Sequence, residues 1–172
     1  ENLIANNASS PIAIPIRIPA SRYAEWSIDL NRVKEASRRP VPERPYRAAR
    51  IGTEVHAWIE RRGYDDGMFD LGFDAESETL SSDRVEELKQ KFAKSRWAKT
   101  EPVYNEIEIL LPQGQHVVVC KIDAVYKIGD RWAVVDWKTG AMPTSENEKD
   151  QKAMQLALYR RAFANWMGIE PS

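Results

Sequence analysis

Apolar side chains recur at helical spacing in some stretches of this chain and fill strand-length runs in others. From about Tyr46 to Arg62, Ile51, Val55, Trp58 and Ile59 form one apolar stripe, which predicts an amphipathic helix stopped by Gly63. A second stripe, Val85, Leu88 and Phe92, follows Asp83 and Glu86, a pair that suits a capping box, and predicts a helix over about Asp83 to Ser95. Three runs rich in β-branched and aromatic residues come next, and predict strands over about Val103 to Leu111, Val117 to Tyr126 and Arg131 to Trp137. Pro143 and the Ser145…Glu148 pair introduce a last helix, to about Met167, ended by Gly168. Upstream, Ser21 is positioned to cap a helix to about Lys34, and Pro40, Pro42 and Pro45 make a stiff connector. Residues 1–20 are apolar but broken by Pro11, Pro15 and Pro19, so they read as an extended arm rather than a strand or helix. The division expected is an arm over 1–20 and one α/β domain over 21–172.

The last two strands carry a testable register. Gly129-Asp130 reads as a tight two-residue turn between them, and such a turn sets Asp123 directly opposite Asp136. Side chains alternate faces along a strand, so Lys138 joins Asp136, while Ile122, Val135 and Trp137 fall on the other face. Two like charges directly opposed destabilise a sheet, so the pair calls for a compensating cation or a function. Two carboxylates for a hard cation, with an ammonium beside them, are what phosphodiester cleavage requires.

Composition narrows the picture only in places. The chain has 172 residues, 42% of them hydrophobic, enough for one domain with a substantial core. A net charge of −1 gives no bulk attraction to nucleic acid. Charge is nevertheless uneven: nine Lys/Arg face four acids between Arg17 and Arg50, and nine acids face only Arg84 between Asp65 and Glu87. Both segments read as solvated surface, with contacts to DNA phosphates or a docking role as the alternative for the basic one. The single cysteine, Cys120, excludes an internal disulfide framework and an iron–sulfur cluster held by four thiolates of this chain. No apolar run approaches the roughly 20 residues of a membrane span and no signal peptide is visible, so a soluble cytoplasmic protein is expected. A start at Glu1 rather than methionine suggests a segment of something longer. Trp26, Trp58, Trp97, Trp132 and Trp166 fit apolar or helix-edge positions and read as packing rather than base-stacking platforms; His116, near a turn, reads as exposed.

Four motifs appear in order: Gly52-Thr53-Glu54-Val55-His56, Lys121-Ile122-Asp123-Ala124-Val125, Asp136-Trp137-Lys138-Thr139-Gly140 and Gln155-Leu156-Ala157-Leu158-Tyr159. With the order helix, three strands, helix, they resemble the RecB-like branch of the PD-(D/E)XK nucleases, and most closely the nuclease domains attached to actinobacterial UvrD-like helicases of the AdnAB type. The resemblance covers roughly Ser21 to the C-terminus. It implies a restriction-endonuclease-like core, a small mixed sheet flanked by helices. That core ordinarily adds a strand after the last helix, and this chain shows none, so the final core strand is expected to be absent. The resemblance further implies Mg²⁺ or Mn²⁺ held by Asp123, Asp136 and His56, with Glu106 completing the site. Glu108 shares a strand face with Glu106 and competes for that place. Lys138 would orient or help deprotonate the attacking water, and Gln155 and Tyr159, one helical turn apart, would point together toward the site or the substrate phosphates. The implied partners are DNA, single-stranded and delivered by a helicase motor in the same polypeptide or complex during repair or recombination, in a bacterial cytoplasm. A non-catalytic nuclease-like scaffold or DNA-binding module is the alternative, and the completeness of the motifs argues against it.

Overall fold

The hairpin between the last two strands has the expected register. In the computed structural model, which describes residues 15–29, 31, 47–61, 79–114 and 116–170, the strand Arg131–Val135 (β4) pairs antiparallel with His116–Ile128 (β3), matching Ala124 to Val135 and Ile128 to Arg131. One step beyond that ladder stand Asp123 and Asp136. Gly129, at φ 58°, occupies the left-handed region that the turn demands.

β3 is the centre of the sheet. Tyr104–Gln113 (β2) pairs antiparallel along one edge, from Tyr104–Val125 to Gln113–His116. On the other edge β4 shares the length of β3 with a strand not expected from sequence, Ile16–Pro19 (β1), which runs parallel and matches Ile16 to His116 and Pro19 to Val119. The arm reading is thus corrected at its end. Pro15 and Pro19 bracket a short stretch in which Ile16 and Ile18 alternate with Arg17, and a four-residue edge strand tolerates prolines at its limits. Residues 1–14 lie outside the described residues. After the last helix no strand follows among the described residues.

Between β1 and the connector, the helix expected from Ser21 to about Lys34 is interrupted after Trp26; Asn31 is helical again, and residues 30 and 32–34 lie outside the described residues. Ser21 lies inside a 3-10 turn, Ala20–Arg22, instead of capping; one α-helical turn, Tyr23–Trp26 (α1), follows, closed by Ser27 Oγ donating to the Tyr23 carbonyl at 2.6 Å. The proline connector, Gly63 and the acidic stretch from Asp65 to Glu78 are outside the described residues. The helices Arg47–Arg61 (α2) and Thr79–Ala93 (α3) match the two apolar stripes, but α3 begins four residues before Asp83, so Asp83 lies inside the helix instead of capping it. They meet through Trp58 and Phe92, whose rings pack edge-on at 5.8 Å.

The last helix, Glu146–Met167 (α4), has both expected boundaries. Ser145 and Glu148 form a reciprocal capping box, and Gly168 ends the helix at φ 65°. One face of α4 supplies Leu158, Tyr159, Ala162 and Phe163 to the main core, against Leu111 of β2 and Val118, Cys120, Ile122 and Val125 of β3. Phe163 sits among the rings of Tyr104, Trp132 and Trp166, so these tryptophans pack, although Trp166 stays half exposed. Trp97, in a 3-10 turn over Arg96–Lys99, stacks on buried Tyr126 at 4.6 Å. His116 opens β3 and is partly buried rather than exposed. No helix among the described residues is long and apolar enough to cross a membrane.

The strict alternation along β3 breaks beside the hairpin. Cys120 and Ile122 belong to the α4 core, but so does Val125, an odd-numbered neighbour. On β2 the matching break falls between Tyr104 and Ile107, both packed on that core, and one of the two residues between them, Glu106, has φ 46°. Glu106 stands opposite Asp123 at the one step missing from the β2–β3 ladder between Asn105–Ala124 and Ile107–Ile122. This local irregularity corrects the expected sharing of faces: Ile122 lies under α4, whereas Trp137 packs on Phe92 of α3 at 5.1 Å.

Candidate active site

Three adjacent strands bring three carboxylates into line: Glu106 from β2, Asp123 from β3 and Asp136 from the end of β4. From α2, His56 reaches the same place, its Nδ1 3.7 Å from Asp123 Oδ2. His56, Glu106 and Asp123 each offer a ligand atom within 4.8 Å of the others. Asp136 stands outside that tight group: its Oδ2 takes the Lys138 ammonium at 2.6 Å and its Oδ1 accepts from Gln155 Nε2 at 3.3 Å. Glu108, the competitor of Glu106, points elsewhere and pairs with Arg17 and Lys121.

Helix α2 can approach this closely because position 52 is glycine. A Cβ there would stand 3.1 Å from Thr139 Oγ1, tighter than an ordinary contact, so Gly52 lets the helix settle on the segment that follows Lys138. One turn later the helix delivers His56.

Trp137, the residue between Asp136 and Lys138, contributes through its backbone. Its N–H donates to Asp123 Oδ2 at 2.6 Å, and its carbonyl oxygen lies 3.0 Å from His56 Nε2. The sequence carries no signal for this role, since any residue has the same backbone groups. What side-chain identity adds is anchorage, because the indole is wedged against Phe92 and Phe92 against Trp58.

Gln155 and Tyr159 do meet the site, but from inside the protein. Both are almost fully buried, and Gln155 Nε2 donates to the Tyr159 hydroxyl at 2.9 Å as well as to Asp136. Gln155 braces the Asp136 carboxylate from within the core, with Tyr159 behind it. Burial pushes the Tyr159 hydroxyl up to about 12, so it stays protonated and neutral beneath the acids.

The electrostatics of the acids are unfavourable as they stand. Burial raises the pKa of Asp123 above the usual carboxylate range, the Trp137 N–H opposes that, and the charge on Asp136 adds to it. Burial likewise raises Glu106, with Asp123 contributing next. A concentration of negative charge that Lys138 only partly offsets is a cost to folding that a bound cation would reduce.

A family model described as the PD-(D/E)XK nuclease superfamily matches residues 29–168, most of the chain. The chain belongs to this superfamily. No curated protein and no solved structure matches it. PD-(D/E)XK nucleases usually use divalent metals, and the donors gathered here suit one: carboxylate oxygens and an imidazole nitrogen are ligands for a hard or borderline divalent cation. The 3.0 Å between His56 Nε2 and the Trp137 oxygen is an N–H···O distance.

The backbone at Glu106 yields a stability prediction. A glutamate held at φ 46° is strained, because only glycine, asparagine and aspartate enter that region readily. Glu106→Asn relieves the strain and removes one of the crowded charges, and is expected to stabilise the protein by about 1 kcal/mol in chelator. Urea denaturation in EDTA checks this; an unchanged or lower midpoint means that the conformation carries no such cost.

Proposed function

We propose that this chain is a RecB-like, Mg²⁺- or Mn²⁺-dependent deoxyribonuclease domain that hydrolyses phosphodiester bonds of single-stranded DNA. The observation that carries the proposal is the convergence of His56, Glu106 and Asp123 beside the Asp136–Lys138 pair. When bound, the cation neutralises the phosphate, activates water and stabilises the leaving oxygen. Asp123, His56 and Glu106 are the residues proposed to hold it, with Asp136 and the Trp137 carbonyl as further donors. Lys138 is half exposed beside buried Asp136, so its ammonium can leave that carboxylate to orient water and steady the charge that builds on the phosphate oxygens. Gln155, supported by Tyr159, fixes the rotamer of Asp136.

The branch assignment rests on the four motifs in order and on the contact of Gly52 with Thr139, which ties the first motif to the third. The near-neutral net charge favours a module whose strand is supplied by a linked helicase motor rather than captured from solution. Incubating the domain with single-stranded DNA and Mn²⁺ or Mg²⁺ tests the reading. Cleavage is expected from the wild type and not from Asp136→Ala. Equal cleavage by both would sink the assignment. Absence of Mn²⁺ binding, with DNA affinity indifferent to chelator, would favour a non-catalytic scaffold.

A further inference from the structure

β1 and β4 lie end to end along the same edge of β3, and they do not meet. β1 reaches Val119 and β4 begins opposite Ala124, so among the described residues Cys120 to Asp123 have no strand beside them on that edge. Where the gap begins lies a cavity of about 190 Å³ lined by Arg17, Pro19, Ser21, Val119, Lys121 and Tyr159. Lys121 precedes Asp123 by two residues, so it rises from the same strand face one pleat away, about 6.8 Å. The notch therefore adjoins the acid cluster without belonging to it.

Its charge is arranged in an unusual way. Glu108, directly opposite Lys121 in the sheet, is shared by two cations: Arg17 Nη2 lies 3.3 Å from one carboxylate oxygen and Lys121 Nζ 3.7 Å from the other. Two cations against one acid leave a single positive charge, the complement of one phosphodiester. All three side chains are exposed, and exposed ion pairs of this kind contribute about 0–1 kcal/mol, so an arriving phosphate can take Glu108's place at little cost.

We propose that this notch is a phosphate subsite, in which Arg17 and Lys121 hold the backbone of single-stranded DNA beside the bond to be cut while Pro19 and Val119 receive the adjoining sugar. The proposal rests on the nuclease reading above. It makes Glu108 an internal competitor of DNA, so removing its charge strengthens binding, whereas removing either cation weakens it.

Fluorescence anisotropy with a labelled single-stranded oligonucleotide, in EDTA and over a range of salt, tests this on the whole chain without cleavage. Arg17→Gln and Lys121→Gln are each expected to weaken binding about 3- to 10-fold at low salt and to flatten the salt slope by about 0.7. Glu108→Gln is expected to tighten binding about 3-fold. Oligonucleotides with and without a 5′-phosphate separate the two sources of phosphate: a preference for the phosphorylated form that disappears in Lys121→Gln assigns the notch to a strand end, and equal affinity assigns it to an internal phosphodiester. Unchanged affinity in all three variants, or weaker binding by Glu108→Gln, overturns the subsite. Cleavage by the wild type alongside that result leaves the nuclease reading standing, and absent cleavage with the expected affinities removes the nuclease reading alone.

Discussion

Replacing Asp123 by asparagine is expected to abolish metal-dependent cleavage while leaving the protein at least as stable as the wild type in chelator. Asp123 is the one acid next to every other part of the site: opposite Glu106 on one side and Asp136 on the other, near His56, and bonded to the Trp137 N–H. The loss of an oxygen ligand removes several kcal/mol of charge stabilisation from the reaction, on the order of 10³-fold in rate. Stability moves differently. Burial and the charge on Asp136 raise the Asp123 pKa, so its ionised form is less comfortable folded than unfolded. Asparagine keeps an oxygen to accept from Trp137 and carries no charge to repel Asp136. Thermal melts in EDTA near pH 8, paired with cleavage assays in Mn²⁺, check both halves. Inactivity with a melting point several degrees below wild type would make Asp123 a structural acid, and activity near wild type would remove it from the site.

The candidate site was legible in the sequence to a limited depth. The turn at Gly129-Asp130 determines the register of β3 and β4, and from it the opposition of Asp123 and Asp136 follows by counting; the capping box at Ser145 and the stop at Gly168 were equally local signals. The superfamily fold followed from the same local motifs taken in order. What could not be counted out depends on partners distant in sequence. β1 forms because the first half of β3 offers an edge, and its prolines argue against a strand until that edge is known. The irregularity at Glu106 has no residue signature, since glutamate does not favour a positive φ. It is that irregularity which separates Glu106 from Glu108, sending one toward Asp123 and the other to Arg17 and Lys121. Helical spacing showed that Gln155 and Tyr159 point together, but not that the core closes over them, because burial is set by how α4 lies on the sheet. The backbone of Trp137 was invisible for a simpler reason, as its contacts with His56 and Asp123 use no side-chain atom that a motif can record.

Mn²⁺ is expected to raise the melting temperature by about 5–10 °C near pH 8, and this gain should fade as the pH falls. A cation that binds only the folded state adds about 2.7 kcal/mol at a hundred times its dissociation constant, and a domain of this size gains roughly 2–4 °C per kcal/mol. The pH dependence follows from the acids. Asp123 and Glu106 both have raised pKa values, for which burial is the leading cause and neighbouring acids the next. A group whose folded pKa lies above its unfolded value favours the folded state at pH below the unfolded value, and that advantage is lost as the pH rises through the folded one. In chelator, therefore, these two acids make the protein less stable on going from about pH 4 upward through their raised values. With Mn²⁺ the trend reverses, because a ligating carboxylate must be ionised, so the cation binds better over the same rise in pH. The two melting curves should converge on the acid side and separate toward neutrality. Asp123→Asn should flatten the Mn²⁺ effect at every pH, and Asp136→Ala should reduce it to the extent that Asp136 shares the ion. Curves that differ by the same amount from pH 4 to pH 8, or a gain that survives in Asp123→Asn, would place the bound metal somewhere other than this cluster.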